Sequence, residues 1–423
     1  MSSLTPTTAA ALDGPPWLRS FRTAAAERFA AAPRPDKGEE IWRYSRIDEL
    51  DLDGLQPAGA ALDPPPPDVL ALAEATGAPA GVVVLANGRL IRAELDPALA
   101  ATGVRLGAAA SFEDGAALLG DDDADRVAGE DAVVLANRAF GIDPVVLAIP
   151  RGVVVDRPVV VVDWCSSDGG ATFSRLVVRA GPGSSVAVVH HQRSDARRSW
   201  LAPLVELDAG PDARLSYGVL QDLGAAAWQA ATVTARADQQ ATVEVVAAAF
   251  GGDYARLRID CRLAGRGASG KLAAAYFADG SQMLDFRTLQ DHQAPDGTSD
   301  LLFKGVVDDR SHSVYSGMIR VRPGARGTNA FQTNRNIKLS DDARAESVPN
   351  LEIEHNDVRC SHASTVGPID TEQRFYLESR GVPTRRAEQL IVSGFFDEVT
   401  DRLPAELRPL VAARIAEKLG EGR

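Results

Sequence analysis

The chain has 423 residues, with 45 Lys and Arg against 58 Asp and Glu, a formal net charge of −13, and 45% hydrophobic residues. That length exceeds one compact core and fits two or three domains or one elongated repeat, while the acidic balance excludes a non-specific nucleic-acid binder, which needs a basic face. No apolar run approaches the roughly 18 residues of a membrane span, and the N-terminus lacks a basic segment followed by an apolar one.

Residues 1–80 read as a helical region followed by a linker. Trp17, Leu18, Phe21, Ala25 and Phe29 recur at helical spacing, and Pro33 and Pro35 end that helix. Glu40-Ile-Trp-Arg-Tyr-Ser is expected to be a compact aromatic anchor. Pro64 to Pro67 mark the linker, since prolines continue neither a helix nor a central strand.

From Gly81 the chain turns β-rich, with Val82-Val-Val-Leu, Val133-Val-Leu, Val145-Val-Leu, Val153-Val-Val and Val159-Val-Val-Val. Beyond these a ruler appears. Val186, Leu215, Val243, Leu272, Leu301 and Ala330 are separated by 29, 28, 29, 29 and 29 residues, each preceded by a turn-rich stretch and followed by a strand-like run. One more step of 28 reaches Val358. A fixed period of turn and strand, with no amphipathic helix inside a repeat, marks a solenoid rather than a sandwich. The expected fold is mainly β: a right-handed parallel β-helix of about 28–29 residues per rung, flanked by N- and C-terminal helical regions. Each rung is expected to hold two strands of about seven residues, about 23 Å long, and residues 81–368 to form nine or ten rungs.

Residues 369–423 are predicted to be helical. Asp370-Thr-Glu-Gln373 resembles a capping box and Gly381 a C-cap. Ala387, Leu390, Ile391, Gly394, Phe395 and Val399 follow at helical spacing, and Pro404 opens a last helix carrying Leu407, Leu410, Val411, Ile415 and Leu419. A helical domain is one way to cover a solenoid's open edge.

Three cysteines, Cys165, Cys261 and Cys360, lie too far apart for a CxxC pair or a disulfide framework, which fits a reducing cytoplasm. Cys165 and Cys261 read as packing residues. Cys360 and His362 stand two apart on a strand and so share a face, with Cα atoms about 6.5 to 7 Å apart. A thiol and an imidazole so placed can converge on a metal such as iron or act as a nucleophile–base pair, or can simply be packed. His355 and Asp357 are further ligand candidates in what also reads as a plain turn. His190 and His191, being adjacent, face opposite ways and are expected to be structural. P-loop, nucleophile-elbow and HExxH motifs are absent.

The ordered set Thr298-Ser-Asp-Leu-Leu-Phe-Lys-Gly, Tyr315-Ser-Gly-Met-Ile, Pro349-Asn-Leu-Glu-Ile, Asp357-Val-Arg-Cys-Ser-His and Phe375-Tyr-Leu-Glu-Ser-Arg-Gly resembles the SufB/SufD family of iron–sulfur cluster assembly proteins. Glu40-Ile-Trp-Arg-Tyr resembles that family's N-terminal region. The resemblance implies a β-helix between helical ends and a non-enzymatic scaffold subunit. The Cys-Ser-His at 360–362 is more like SufD, and Asn334 falls where SufB carries its scaffold cysteine. Ala363-Ser364 departs from the family's usual Gly-Ala. By the resemblance, His362 and Cys360 are ligands for iron or a transient iron–sulfur cluster shared with a SufB partner. A SufC ATPase would bind the C-terminal helices through Leu390, Ile391, Phe395 and Val399. A homodimer is the alternative assembly when SufB is absent, and flavin use is left open. The rival readings are a SufB-type scaffold, a β-helix carbohydrate-active enzyme, which usually shows a ladder of acidic residues, and a structural solenoid.

Overall fold

A column of left-handed backbone positions runs up one corner of the molecule: Gly152, Gly183, Asp212, Gln240, Gly267, Asp296 and Gly327, with φ between +56° and +72°. Each donates its N–H to the carbonyl just before the next position in the column, as Gly183 does to Pro211, Asp212 to Gln239 and Gly267 to Pro295, at 2.8–2.9 Å. Glycine adopts this conformation without cost and Asp tolerates it, which is why the turn-rich stretches recur in the sequence.

These corners stack a solenoid. The computed structural model describes residues 3–52, 54–57, 65–74, 77–120 and 131–420. The body begins with β1 (Gly81–Ala86), β2 (Val145–Ile149), β3 (Val159–Cys165), β4 (Arg175–Ala180), β5 (Ser185–Ser194) and β6 (Leu204–Ala209). It continues through β7 (Arg214–Asp222), β8 (Trp228–Ala237), β9 (Thr242–Ala249), β10 (Tyr254–Leu263), β11 (Ser269–Ala278) and β12 (Met283–His292). The last strands are β13 (Thr298–Val307), β14 (His312–Val321), β15 (Asn329–Lys338), β16 (Arg344–Ile353) and β17 (Arg359–Pro368). Odd-numbered strands form one sheet and even-numbered strands the other, each in the order of the chain and parallel throughout. At the N-terminal end each sheet is closed by an antiparallel strand, Arg89–Leu95 beside β1 and Arg105–Ala108 beside β2.

The result is a parallel β-solenoid of about eight turns with helical ends. The expected nine or ten turns is too many, because residues 89–120 and 131–140 leave the coil for a hairpin and short helices. Most later strands have ten residues, not seven, and run about 33 Å. The ruler also slips. Val186, Leu215 and Val243 share one register column, but Val243 pairs with Gly270 and Leu301 with Gln332, so the steps there are 27 and 31. The corner before β15 is long, and the residue above Ala330 is Cys360, not Val358. Val133-Val-Leu lies in a helix, Ala132–Phe140, whose nine residues are all buried. Asp131 caps it by accepting from the Val133 N–H, and a short all-apolar run has no period that distinguishes strand from helix. Val153-Val-Val contributes only a bridge between Val154 and Ser185. Pro64 lies outside the described residues, and Pro67 opens a five-residue helix.

Apolar side chains from both sheets fill the lumen, including Val161, Val188, Leu215, Val245, Leu272 and Leu301. Toward the C-terminal end the filling becomes aromatic: Tyr276 and Phe286 stack at 4.4 Å, Phe286 meets Phe303 edge-on at 5.7 Å, and Phe303 meets Tyr315 at 5.3 Å. The N-terminal helices α1 (Pro16–Ala31) and α2 (Ala132–Phe140) meet through Phe29 and Phe140, and Phe140 continues the apolar contact to Phe173. Trp42 is the buried anchor foreseen in the sequence, with the Arg256 guanidinium 3.7 Å from its ring.

After β17 come α3 (Thr371–Ser379), α4 (Thr384–Thr400) and α5 (Arg408–Lys418). Asp370 caps α3 as predicted, and Gly381 follows it at φ +85°. The last helix starts at Arg408, four residues after Pro404. Val392, Phe396, Val399 and Val411 join Val246, Phe277 and Val306 of the odd sheet's outer face in one apolar cluster. Lys304–Glu398, Arg414–Asp222 and Lys418–Asp279, all at 2.8 Å, tie the domain down around it. Among the described residues no helix is long and apolar enough to cross a membrane.

Candidate functional site

Cys360 and His362 lie on β17, the terminal strand of the odd sheet, where no further rung follows. Cys360 stands beside Ala330 and His362 beside Gln332. Since Gln332 is itself in register with Leu301 of the lumen core, both residues project from the face that continues the lumen. The open end leaves His362 exposed and Cys360 half-buried against Ile319, Val321, Ala330 and Leu351. Burial pushes the Cys360 thiol up, opposed by a backbone hydrogen bond at Ala330, so it stays protonated at neutral pH without a cation beside it.

Asn334 is fully buried and committed. Its Nδ2 donates to the Tyr276 hydroxyl at 3.1 Å, that hydroxyl donates to Asn336 Oδ1 at 2.7 Å, and Asn336 Nδ2 donates back to Asn334 Oδ1 at 2.8 Å. This ring of three closes on itself and offers iron nothing. Gly305 makes room for it, because a Cβ there would stand 2.0 Å from the Tyr276 ring and 2.4 Å from Asn336 Oδ1. Sequence reasoning missed Tyr276, Asn336 and Gln332; the available signal was the glycine inside each strand motif, Phe303-Lys-Gly and Tyr315-Ser-Gly, which marks a close approach.

The other candidates resolve as structure. His355 Nδ1 accepts from the Asp357 N–H at 3.0 Å, a plain turn. His190 points inward and meets the Tyr217 hydroxyl at 2.8 Å, while His191 points outward, in register between Val162 and Leu220. Cys165 and Cys261 are buried, and burial pushes the Cys261 thiol up to about 12. Among the described residues no group of three or more His, Cys, Asp and Glu is placed to hold a metal ion. Two donors are fewer than the four an iron–sulfur cluster takes.

His191 carries a pH consequence. It is fully buried, neither ring nitrogen is hydrogen-bonded, and burial, then Arg193, depresses it to about 4. Below the ordinary imidazole value of about 6.5 the unfolded chain takes up a proton that the folded chain refuses, so stability is full above that value and falls as pH drops toward 4. We expect His191→Gln to lose less stability than the wild type between pH 7 and pH 5, by on the order of 2 kcal/mol, as read from urea denaturation midpoints. Equal losses in the two proteins would refute this assignment.

On the helical domain the predicted stripe divides. Val399 is fully buried and belongs to the core that seats α4. Leu390 is 42% exposed, and with Ile391 and Phe395 it lines a cleft of about 860 Å³ between α3 and α4, shared with Ile337, Pro368 and Tyr376. Tyr376 is 58% exposed, and its neighbour Phe375 70%.

A solenoid with an open end that displays a thiol and an imidazole, and a helical domain with an uncovered aromatic cleft, is an architecture for assembly with other chains. Residues 164–395 match the family described as SUF system FeS cluster assembly, SufBD core domain. An iron–sulfur cluster assembly SufBD family protein of Mycobacterium tuberculosis is 35% identical over 283 residues, 64% of this chain and 70% of that protein. The iron–sulfur cluster assembly protein SufD of Escherichia coli is 35% identical over 174 residues, 41% of each chain, and that of Bacillus subtilis 30% identical over 264 residues, 62% of this chain and 60% of that one. The chain belongs to the SufBD family, and its role is in iron–sulfur cluster assembly.

Proposed function

We propose that this chain is a SufD-like, non-enzymatic subunit of a cytoplasmic SufB–SufC–SufD complex. A SufB-type solenoid docks edge to edge on β16 and β17, and the nascent iron–sulfur cluster, which is cargo, forms across that seam. His362 supplies an iron ligand there and Cys360 a supporting thiol. ATP hydrolysis belongs to a SufC-type partner seated on the helical domain, and a homodimer through the same edge forms when the SufB-type partner is missing. The observation that carries this reading is the exposed His362 on a terminal strand with one open edge. A SufB-type role is disfavoured because Asn334, standing where SufB carries its scaffold cysteine, is locked in an internal hydrogen-bond ring.

The ATPase contact is tested at the cleft. Deleting residues 384–423 would strip α4 and α5 from the apolar face of Val246, Phe277 and Val306 and unfold more than the contact. The double variant Leu390→Asp and Phe395→Asp instead places charge in the cleft while Val399 and Phe396 hold the helix. We expect it to lose co-purification of the ATPase by about tenfold or more, as truncation of central apolar contacts does, with an unchanged circular dichroism spectrum and retained SufB-type partner. Full ATPase recovery would place that contact elsewhere.

A further inference from the structure

Gln332 has no established place in the scheme above. It sits on β15, 1% exposed; its amide nitrogen faces the Tyr315 hydroxyl, and its amide oxygen makes no hydrogen bond. A buried amide oxygen left unpaired costs about 1–3 kcal/mol, so a position that keeps one calls for a partner. Toward the interior its register neighbour is Leu301, which is apolar. Across the lumen Gly317 supplies only space: a Cβ there would lie 2.6 Å from Gln332 Nε2 and 2.2 Å from the Tyr315 hydroxyl. That hydroxyl is 3.2 Å from Thr288 Oγ1 and also meets the Gln332 amide nitrogen, which leaves the amide oxygen without a partner. Toward the open end the register neighbour is His362. Adjacent parallel strands lie about 4.8 Å apart, and the two side chains leave the same face, so a modest rotation of the amide brings it to the imidazole.

An imidazole that binds a metal through one nitrogen donates its other N–H to a carbonyl or carboxylate, and that bond fixes both the ring's orientation and which nitrogen carries the proton. We infer that Gln332 is the positioning residue for His362: its amide oxygen accepts from Nδ1–H, leaving the Nε2 lone pair directed out of the open end. Gly317 is the clearance that lets the amide swing: its nitrogen stays toward the Tyr315 hydroxyl, and its oxygen, with only Leu301 beside it on the inner side, is the atom left to accept from the imidazole.

The inference rests on reading His362 as an iron ligand, but its test does not. Full-length chain is labelled with ¹⁵N only in its histidines, of which there are six, and ring-nitrogen shifts are recorded at about pH 8.5, above the ordinary imidazole range. His362→Ala identifies the signal. In the wild type His362 is expected mainly in the Nδ1–H form. Gln332→Leu, which keeps the side chain's bulk beside Leu301 while Tyr315 retains Thr288 as a partner, is expected to return it to the Nε2–H form that imidazole favours in water. Gln332→Glu, which keeps an acceptor oxygen, is expected to restore Nδ1–H. A wild-type His362 already in the Nε2–H form, or a tautomer unchanged by Gln332→Leu, overturns the inference. Should Gln332→Glu not fold, the wild-type and Gln332→Leu pair decides alone. A Gln332-dependent tautomer together with normal cluster content in His362→Ala would leave this contact standing and sink the ligand reading instead.

Discussion

His362→Ala, co-expressed with its partner subunits and purified without oxygen, is expected to yield an assembled complex with about tenfold less bound iron and sulfide. The side chain is exposed on a terminal strand, so alanine opens no cavity and the fold has nothing to repair. On the proposed reading, what is lost is one of the coordination bonds that His362 and Cys360 bring to the seam. Cys360→Ala should cost less, because a half-buried thiol that burial keeps protonated is a reluctant ligand and water can take its place. Iron, sulfide and subunit ratio are measured for each variant. Normal cluster content in His362→Ala would remove it from the ligand set. Loss of the SufB-type subunit from that variant would assign the histidine to docking instead.

Phe286→Ala should be the most damaging single change in the lumen, lowering stability by about 3–5 kcal/mol. Phe286 is 1% exposed, stacks on Tyr276 at 4.4 Å and meets Phe303 at 5.7 Å. Deleting its ring leaves a cavity between two sheets whose spacing is fixed by backbone ladders on either side, so the walls cannot close in. Tyr276 would also lose the surface that holds its hydroxyl against Asn336. Urea denaturation followed by circular dichroism reads the loss, with Phe375→Ala, 70% exposed, as a control expected within about 0.5 kcal/mol of the wild type. A loss below about 1 kcal/mol in Phe286→Ala would mean that the lumen collapses freely.

The solenoid was legible because its corners demand special residues. Gly183, Asp212, Gly267 and Asp296 occupy left-handed positions that most residues avoid, so the chain repeats its turn formers even where its strands share no motif. Exact register was not legible, because corners absorb changes in length: the ruler lost two residues between Val243 and Gly270 and gained two between Leu301 and Gln332. The shared face of Cys360 and His362 needed only the two-residue period of a strand. What stands beneath them needed the register, which is why Gln332, Tyr276 and Asn336 escaped notice. The helical stripe divides for another reason. Ala387 through Val399 span a wide arc of α4, and only the docking angle on the sheet decides that Val399 turns inward while Leu390 stays in solvent. Val133-Val-Leu misled because burial on every side erases the periodicity that separates helix from strand.

The terminal strands β16 and β17 present two rows of unpaired backbone groups, side by side, at one end of the molecule. Such rows are templates for another strand. On the reading proposed above, whatever seals them must be supplied by a partner chain. Made in step with its partner, each copy is covered as it folds. Made in excess, on the reading proposed above, copies would pair edge to edge with one another. The edge acts as a gauge of stoichiometry: it converts an imbalance in synthesis into self-pairing, and it selects the properly partnered subunit without any dedicated sensor.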